Sequence, residues 1–243
     1  MRTVFLSISL ALLSLGTALA SPQNGFVGET QKYKVWWAFI PAGEITLESG
    51  PQTEVNSVPA LHFSLKARTY PALDLIYKFR EQVDSYMDLE MSRSLLYRKK
   101  MVARSKRDVE VTFDWQQGQA RYTNFNKSKE PIAVPAGTLD PLAALYFLRT
   151  LEFSEEMVME RPVTDGKKVV MGTAKVLGRE EITVNGVTYD TFRVEPDMRD
   201  VRGVFEQSKD SRMLLWISAD QRRLLVKIKS KVMIGSFRAE IMP

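Results

Sequence analysis

Hydrophobic residues recur at every second position along most of this chain, and a period of two confines it to β-strands. Tyr33, Val35, Trp37 and Phe39 share one face, with Lys32, Lys34 and Trp36 on the other. Leu61, Phe63, Leu65 and Ala67 repeat the pattern against His62, Ser64 and Lys66. Val109, Val111, Phe113 and Trp115 do so against Glu110, Thr112 and Asp114, and Leu224, Val226 and Ile228 against Lys227, Lys229 and Lys231. Strands with one dry and one wet face form antiparallel sheet, because a parallel sheet is covered on both sides. Gln117-Gly118, Asp165-Gly166 and Asn185-Gly186 occupy expected hairpin tips. Ile40-Pro41-Ala42-Gly43 and Ser57-Val58-Pro59 read as two further reversals. The runs amount to on the order of a dozen strands, spaced as in an all-β sheet or barrel.

One segment breaks the rhythm. From Leu139 to Leu151 the chain reads as a helix, with Asp140 placed to cap the first free amides and Pro141 in the first turn. Leu142 to Leu148 is apolar on every side, which is the composition of a buried helix. The expected fold is therefore all-β with one helix: a curled antiparallel sheet, spiral or half-barrel, with the Asp140–Arg149 helix docked in its concave side.

In order along the chain stand Gly28-Glu29 through Trp37, Ile40-Pro41-Ala42-Gly43-Glu44, Leu73-Asp74-Leu75-Ile76-Tyr77-Lys78 with Asp84, and Phe113-Asp114. The Asp140–Arg149 helix and the run Trp216-Ile217-Ser218-Ala219-Asp220 to Gly235-Ser236 complete the series. With these motifs the chain resembles the bacterial exported family of unknown function DUF3108. The resemblance implies an elongated, curled sheet similar in architecture to periplasmic lipoprotein carriers, which hold acyl chains in a half-open barrel. It implies no activity and supplies no functional residues.

The first twenty residues carry Arg2, an apolar run from Val4 to Leu15 and the small residues Ala18 and Ala20 of Ala18-Leu19-Ala20. This is the layout of a secretory signal peptide, cut after Ala20. The run is shorter than the roughly 20 apolar residues of a membrane span. Ser21 follows the cut, and the chain has no cysteine, so neither a lipid anchor nor disulfides are expected. Residues 21–243 are read as one β-rich domain, exported to the periplasm and soluble. The net charge of +5 favours acidic surfaces such as anionic lipid headgroups. Nucleic acid would suit the charge too, but export argues against it.

Catalytic chemistry finds little to use. There is no thiol, and the only histidine, His62, alternates with core positions and is expected to point to solvent. No metal-binding spacing occurs, and no cofactor or metal is expected. Paired carboxylates alone can hydrolyse a glycosidic bond, and Asp74, Asp84, Asp88 and Asp114 are the acids near aromatic residues.

The strongest local signal is basic: Arg98, Lys99, Lys100, Arg104, Lys106 and Arg107 flank an expected strand reversal, and Lys227, Lys229 and Lys231 form a second row. Both suit phosphate oxygens of lipid headgroups. Trp36, on the lysine side of its strand, is a candidate contact for a ligand or partner. The leading expectation is thus a non-enzymatic periplasmic protein that holds a hydrophobic or amphipathic envelope ligand between sheet and helix. The alternatives are a protein-interaction module of envelope assembly, acting through Trp36 or a sheet edge, and a carboxylate-based carbohydrate-active enzyme.

Overall fold

The computed structural model describes residues 25–197, 212–231 and 236–243. The expected signal segment, with its cut after Ala20, lies outside them. The first half of the chain forms β1 (Thr30–Trp37), β2 (Ile40–Ser49), β3 (Thr53–Val55), β4 (Val58–Thr69), the single turn α1 (Pro71–Asp74), β5 (Arg80–Asp88), β6 (Ser94–Val102), β7 (Lys106–Asp114), β8 (Gln119–Asn124), β9 (Lys127–Ser128) and β10 (Ile132–Ala133). Then come α2 (Pro141–Arg149), β11 (Val158–Thr164), β12 (Val169–Val184), β13 (Val187–Asp197), β14 (Met213–Ser218), β15 (Leu225–Lys231) and β16 (Ser236–Ile241).

The described strands form one antiparallel sheet in the order β10-β8-β7-β6-β5-β4-β2-β1-β16-β15-β14-β13-β12-β11, with β3 paired to β4 and β9 to β8 off this path. The first strand pairs with the last in the middle of the sheet, with Tyr33 opposite Ile241 and Trp37 opposite Phe237. The chain therefore meanders outward from β1 to one edge and crosses to the other edge. It then meanders back from β11 to β16.

That crossing is short because the sheet curls until its edges approach. Val134 N donates to Gly118 O at 2.8 Å on one side, while Leu139 N donates to Pro162 O and Thr164 N to Leu139 O, both at 2.9 Å, on the other. The β11–β12 turn closes the curl from a second direction. A Cβ added to Gly166 would lie 2.6 Å from a Val111 methyl carbon, and Lys167 Nζ stands 4.6 Å over the Tyr122 ring. The result is a barrel-like, open curled sheet whose seam is filled by residues 134–149 rather than by strand pairing.

The alternation predicts the inner face well. Tyr33, Leu47, Phe63, Leu65, Val83, Tyr97, Val109, Val111 and Tyr122 all point into the core with α2. Three expectations need correcting. Phe39 is not on the buried face of β1: the strand ends at Trp37, the chain turns at Ala38 (φ 50°), and Phe39 is 93% exposed. Ile40-Pro41-Ala42-Gly43 is the start of β2 rather than a turn. Its glycine answers to a close approach, since a Cβ there would lie 2.1 Å from the Arg68 carbonyl oxygen. Likewise the reversal near Ser57-Val58-Pro59 sits at Asn56-Ser57 (φ 51° and 65°), and Val58 already belongs to β4.

Candidate functional site

The helix in the seam is the most heavily anchored element. Asp140 caps α2, its Oδ1 accepting from Leu142 N at 2.9 Å and Ala143 N at 3.0 Å. Its Oδ2 accepts from Ser85 and Ser94 hydroxyls, both at 2.7 Å, which ties the cap to β5 and β6. Burial pushes the Asp140 carboxyl above the ordinary range, opposed by these hydrogen bonds. At the other end, Arg149 is fully buried and makes a two-point ion pair with Glu29 at 2.7 and 2.8 Å. It also donates to Arg223 O at 2.7 Å and lies 4.6 Å over the Phe26 ring. Tyr146 stacks on Phe63 at 3.8 Å between centroids.

Little room remains beside that helix. An apolar crevice between α2 and β11–β14, lined by Leu145, Leu148, Met159, Val163 and Leu215, offers about 60 Å³. A benzene-sized guest occupies a cavity of roughly 150 Å³. Among the described residues this crevice is smaller than an acyl chain requires.

The basic residues expected to act together are divided by the pleat. Arg98 and Lys100 point outward from β6, and Arg98 pairs with Glu110 at 2.8 Å. Lys99, between them, points inward and pairs with the buried Glu81 at 2.7 Å. Arg107 takes the inner face of β7, whereas Arg104 and Lys106 stand exposed at the β6–β7 turn. Trp36 is half-buried on the outer face, with Lys34 Nζ 4.5 Å and Arg238 Cζ 5.4 Å over its ring. Lys227 and Lys229 share that face, Lys227 lying 3.5 Å from Glu240.

His62 also takes the outer face, but it is clamped rather than free. It hydrogen-bonds Asp84 at 2.9 Å and stacks on Tyr86 at 4.6 Å. That bond holds the Asp84 carboxyl below its usual range. The nearby Ser64 hydroxyl donates to Glu48, not to His62. The other carboxylates serve local structure. Asp74 is bound by Arg80, which lowers its pKa, Asp88 accepts from Ser92 N at 2.7 Å, and Asp114 accepts from Gln116 N and Gln117 N.

A larger space lies elsewhere. Between the β3–β4 hairpin and the ends of β6, β7 and β8 a cleft of about 690 Å³ opens, within the 300–1,000 Å³ or so usual for small-molecule sites. Leu95, Val58 and Ala120 supply apolar lining. Phe113 and Trp115 stack at 5.7 Å, and Trp115 Nε1 donates to Ser94 O at 2.9 Å, so that wall is rigid. Arg93 lies 5.3 Å over Trp115 and 3.4 Å from Asp88, and its buried Nε makes no hydrogen bond. Arg121 is exposed on β8 opposite Thr112. The lining holds two guanidiniums and one carboxylate, Asp114. Sequence reading missed this cleft because Arg93 precedes β6, Trp115 follows β7 and Arg121 lies on β8, and only the register brings them near one cleft. Only the aromatic pair Phe113 and Trp115 signalled it.

The chain matches the family described as "Protein of unknown function (DUF3108)" over residues 32–242. No curated protein matches it. Among solved structures it is similar to a beta-barrel-like protein of the domain of unknown function DUF1849 from Brucella abortus, at 10% identity and a TM-score of 0.53. That similarity covers 88% of this chain and 97% of the other. At that identity the likeness is one of fold.

Proposed function

The chain belongs to DUF3108, a family of unknown function from which no activity follows, and we propose on its own geometry that it is a non-enzymatic binding protein of the cell envelope. Its ligand is amphipathic and anionic. The observation that carries this reading is the 690 Å³ cleft whose lining includes a stacked aromatic pair and two arginines. The apolar part of the ligand lies against Leu95, Val58 and the Phe113–Trp115 pair, and its anionic group meets Arg93 and Arg121. A guanidinium presents paired donors that suit carboxylate or phosphate. The two guanidiniums outnumber the one carboxylate of the lining, Asp114, whose Oδ1 accepts from Gln116 N and Gln117 N. The signal-like segment ahead of Ser21 supports a periplasmic setting.

The test is a titration with a fluorescent fatty acid, alongside solvent extraction of the purified protein and mass spectrometry. Saturable binding is expected, weakened about tenfold in Arg121→Ala, where a charge-assisted hydrogen bond is lost. Arg121 is exposed and unpaired with any carboxylate among the described residues, so its loss leaves folding intact. Binding that does not saturate, or that Arg121→Ala and Trp115→Ala leave unchanged, overturns the proposal.

A further inference from the structure

An antiparallel meander sends alternate turns to opposite ends of the sheet, and in this molecule the two ends differ in kind. At one end lie the polar turn residues Asn56-Ser57 and Gln116-Gln117-Gly118, at the cleft, and Asn185-Gly186 in the other half of the sheet. At the other end lie the turns β1–β2, β4–β5, β6–β7 and β8–β9, as the pairs Trp37↔Ile40, Arg68↔Arg80, Val102↔Lys106 and Asn124↔Lys127 require. These four turns belong to successive neighbours in the sheet. Contacts join them: Tyr70 N donates to Ala42 O at 3.0 Å, Arg104 lies 5.9 Å over Tyr77, and Phe125 N donates to Asp108 O at 3.0 Å.

Their tips carry large apolar side chains in water. Phe39 is 93% exposed, Leu75 91%, Ile76 80% and Phe125 52%. Folding gains nothing from residues so placed, and a cluster of exposed apolar groups marks an interaction surface. The unpaired charge around them, among the described residues, is mostly positive. Lys78, Arg104, Lys106 and Lys127 are exposed there, and none is ion-paired among the described residues. The carboxylates at the same end are mostly engaged: Glu44 with Arg68, Asp74 with Arg80, and Glu81 with Lys99. Asp108 stands opposite Lys100.

We propose that this end of the barrel docks on the surface of an anionic lipid bilayer, its apolar tips among the headgroups and its lysines and Arg104 against the phosphates. Separate protruding tips suit a soft, continuous partner that each can enter, and cations flanking apolar residues are what an anionic interface selects. Docking leaves the cleft at the far end facing away from the membrane.

Co-sedimentation with phosphatidylcholine vesicles, with and without phosphatidylglycerol, tests it. The protein is expected to bind the anionic vesicles, and less so as salt rises. The double variant Leu75→Asp/Ile76→Asp should lower partitioning about tenfold or more with an unchanged melting curve, because both side chains are exposed. Lys78→Glu/Arg104→Glu should weaken binding to anionic vesicles by a similar factor of about ten or more. Trp115→Ala and Arg121→Ala should bind vesicles as the parent does, so failure here and failure of the cleft reading are separable. The proposal falls if the protein ignores both vesicle types or if Leu75→Asp/Ile76→Asp binds normally. It falls too if that variant instead dissolves a dimer seen by size-exclusion chromatography.

Discussion

Two buried side chains with opposite hydrogen-bonding fates show how the seam is held. Asp140 satisfies two amides and two serines, so Asp140→Ala orphans buried donors and should destabilise by about 2 kcal/mol. Tyr146 carries a buried hydroxyl with no partner, which burial holds well above its ordinary pKa. Removing an unpaired buried hydroxyl forfeits no hydrogen bond, so Tyr146→Phe should melt at or above the parent's temperature while keeping its stack on Phe63. Asp140 also makes a pH prediction. Its folded pKa lies above its unfolded value, so the folded state holds the proton longer. Stability from this group is full below the ordinary carboxylate range and declines as pH rises through the shifted value. Asp84 has the opposite sign, because its lowered pKa adds stability that is lost as pH falls. Melting Asp140→Asn beside the parent at about pH 3 and pH 7, on either side of the ordinary carboxylate value of about 4, isolates the first effect. The parent should lose stability relative to the variant at the higher pH.

At the scale of elements, α2 was readable almost to the residue, because Asp140, Pro141 and the apolar run are local signals and the helix ends at Arg149 as expected. The inner faces of β4 and β7 were readable for the same reason. The β1–β2 turn was not, since Ala38 takes a positive φ without glycine or asparagine, and exposed Phe39 continues the alternation of β1. Gly43 misled in the other direction. It looks like turn punctuation, yet it stands mid-sheet opposite Thr69, where β2 and β4 press together. Gly43→Ala would place a Cβ against the Arg68 carbonyl and must push the two strands apart, at a cost of roughly 2–4 kcal/mol. Hydrogen exchange should show the loss first in amides of β2 and β4. The basic run is divided for a related reason: neighbours in sequence alternate between faces, so Lys99 is drawn inward to Glu81 while Arg98 and Lys100 remain outside. The cleft needed strand register, which no local pattern supplies.

For the whole molecule, the decisive pairing is between its first and last strands. β1 and β16 join two meanders in mid-sheet, and Met242 N still donates to Lys32 O at 2.7 Å. Such a contact closes nearly the whole chain into a loop, so it carries a large entropic cost and forms late. It also sets the whole curl, since without it two long open edges, β1 and β15, would face solvent in the middle of the sheet. A chain ending at Lys231 should therefore lose cooperative unfolding or aggregate, although the deleted strand is only six residues long. The end of β16 and the start of β1 lie side by side, so a circular permutant with these ends linked and new termini at the exposed Asn185-Gly186 turn keeps every strand pair. That permutant should melt cooperatively, and its refolding rate should differ from the parent's, because the β1–β16 pair becomes a local hairpin while β12–β13 becomes the end-to-end closure. Equal refolding rates in stopped-flow measurements would show that this closure is not the slow step.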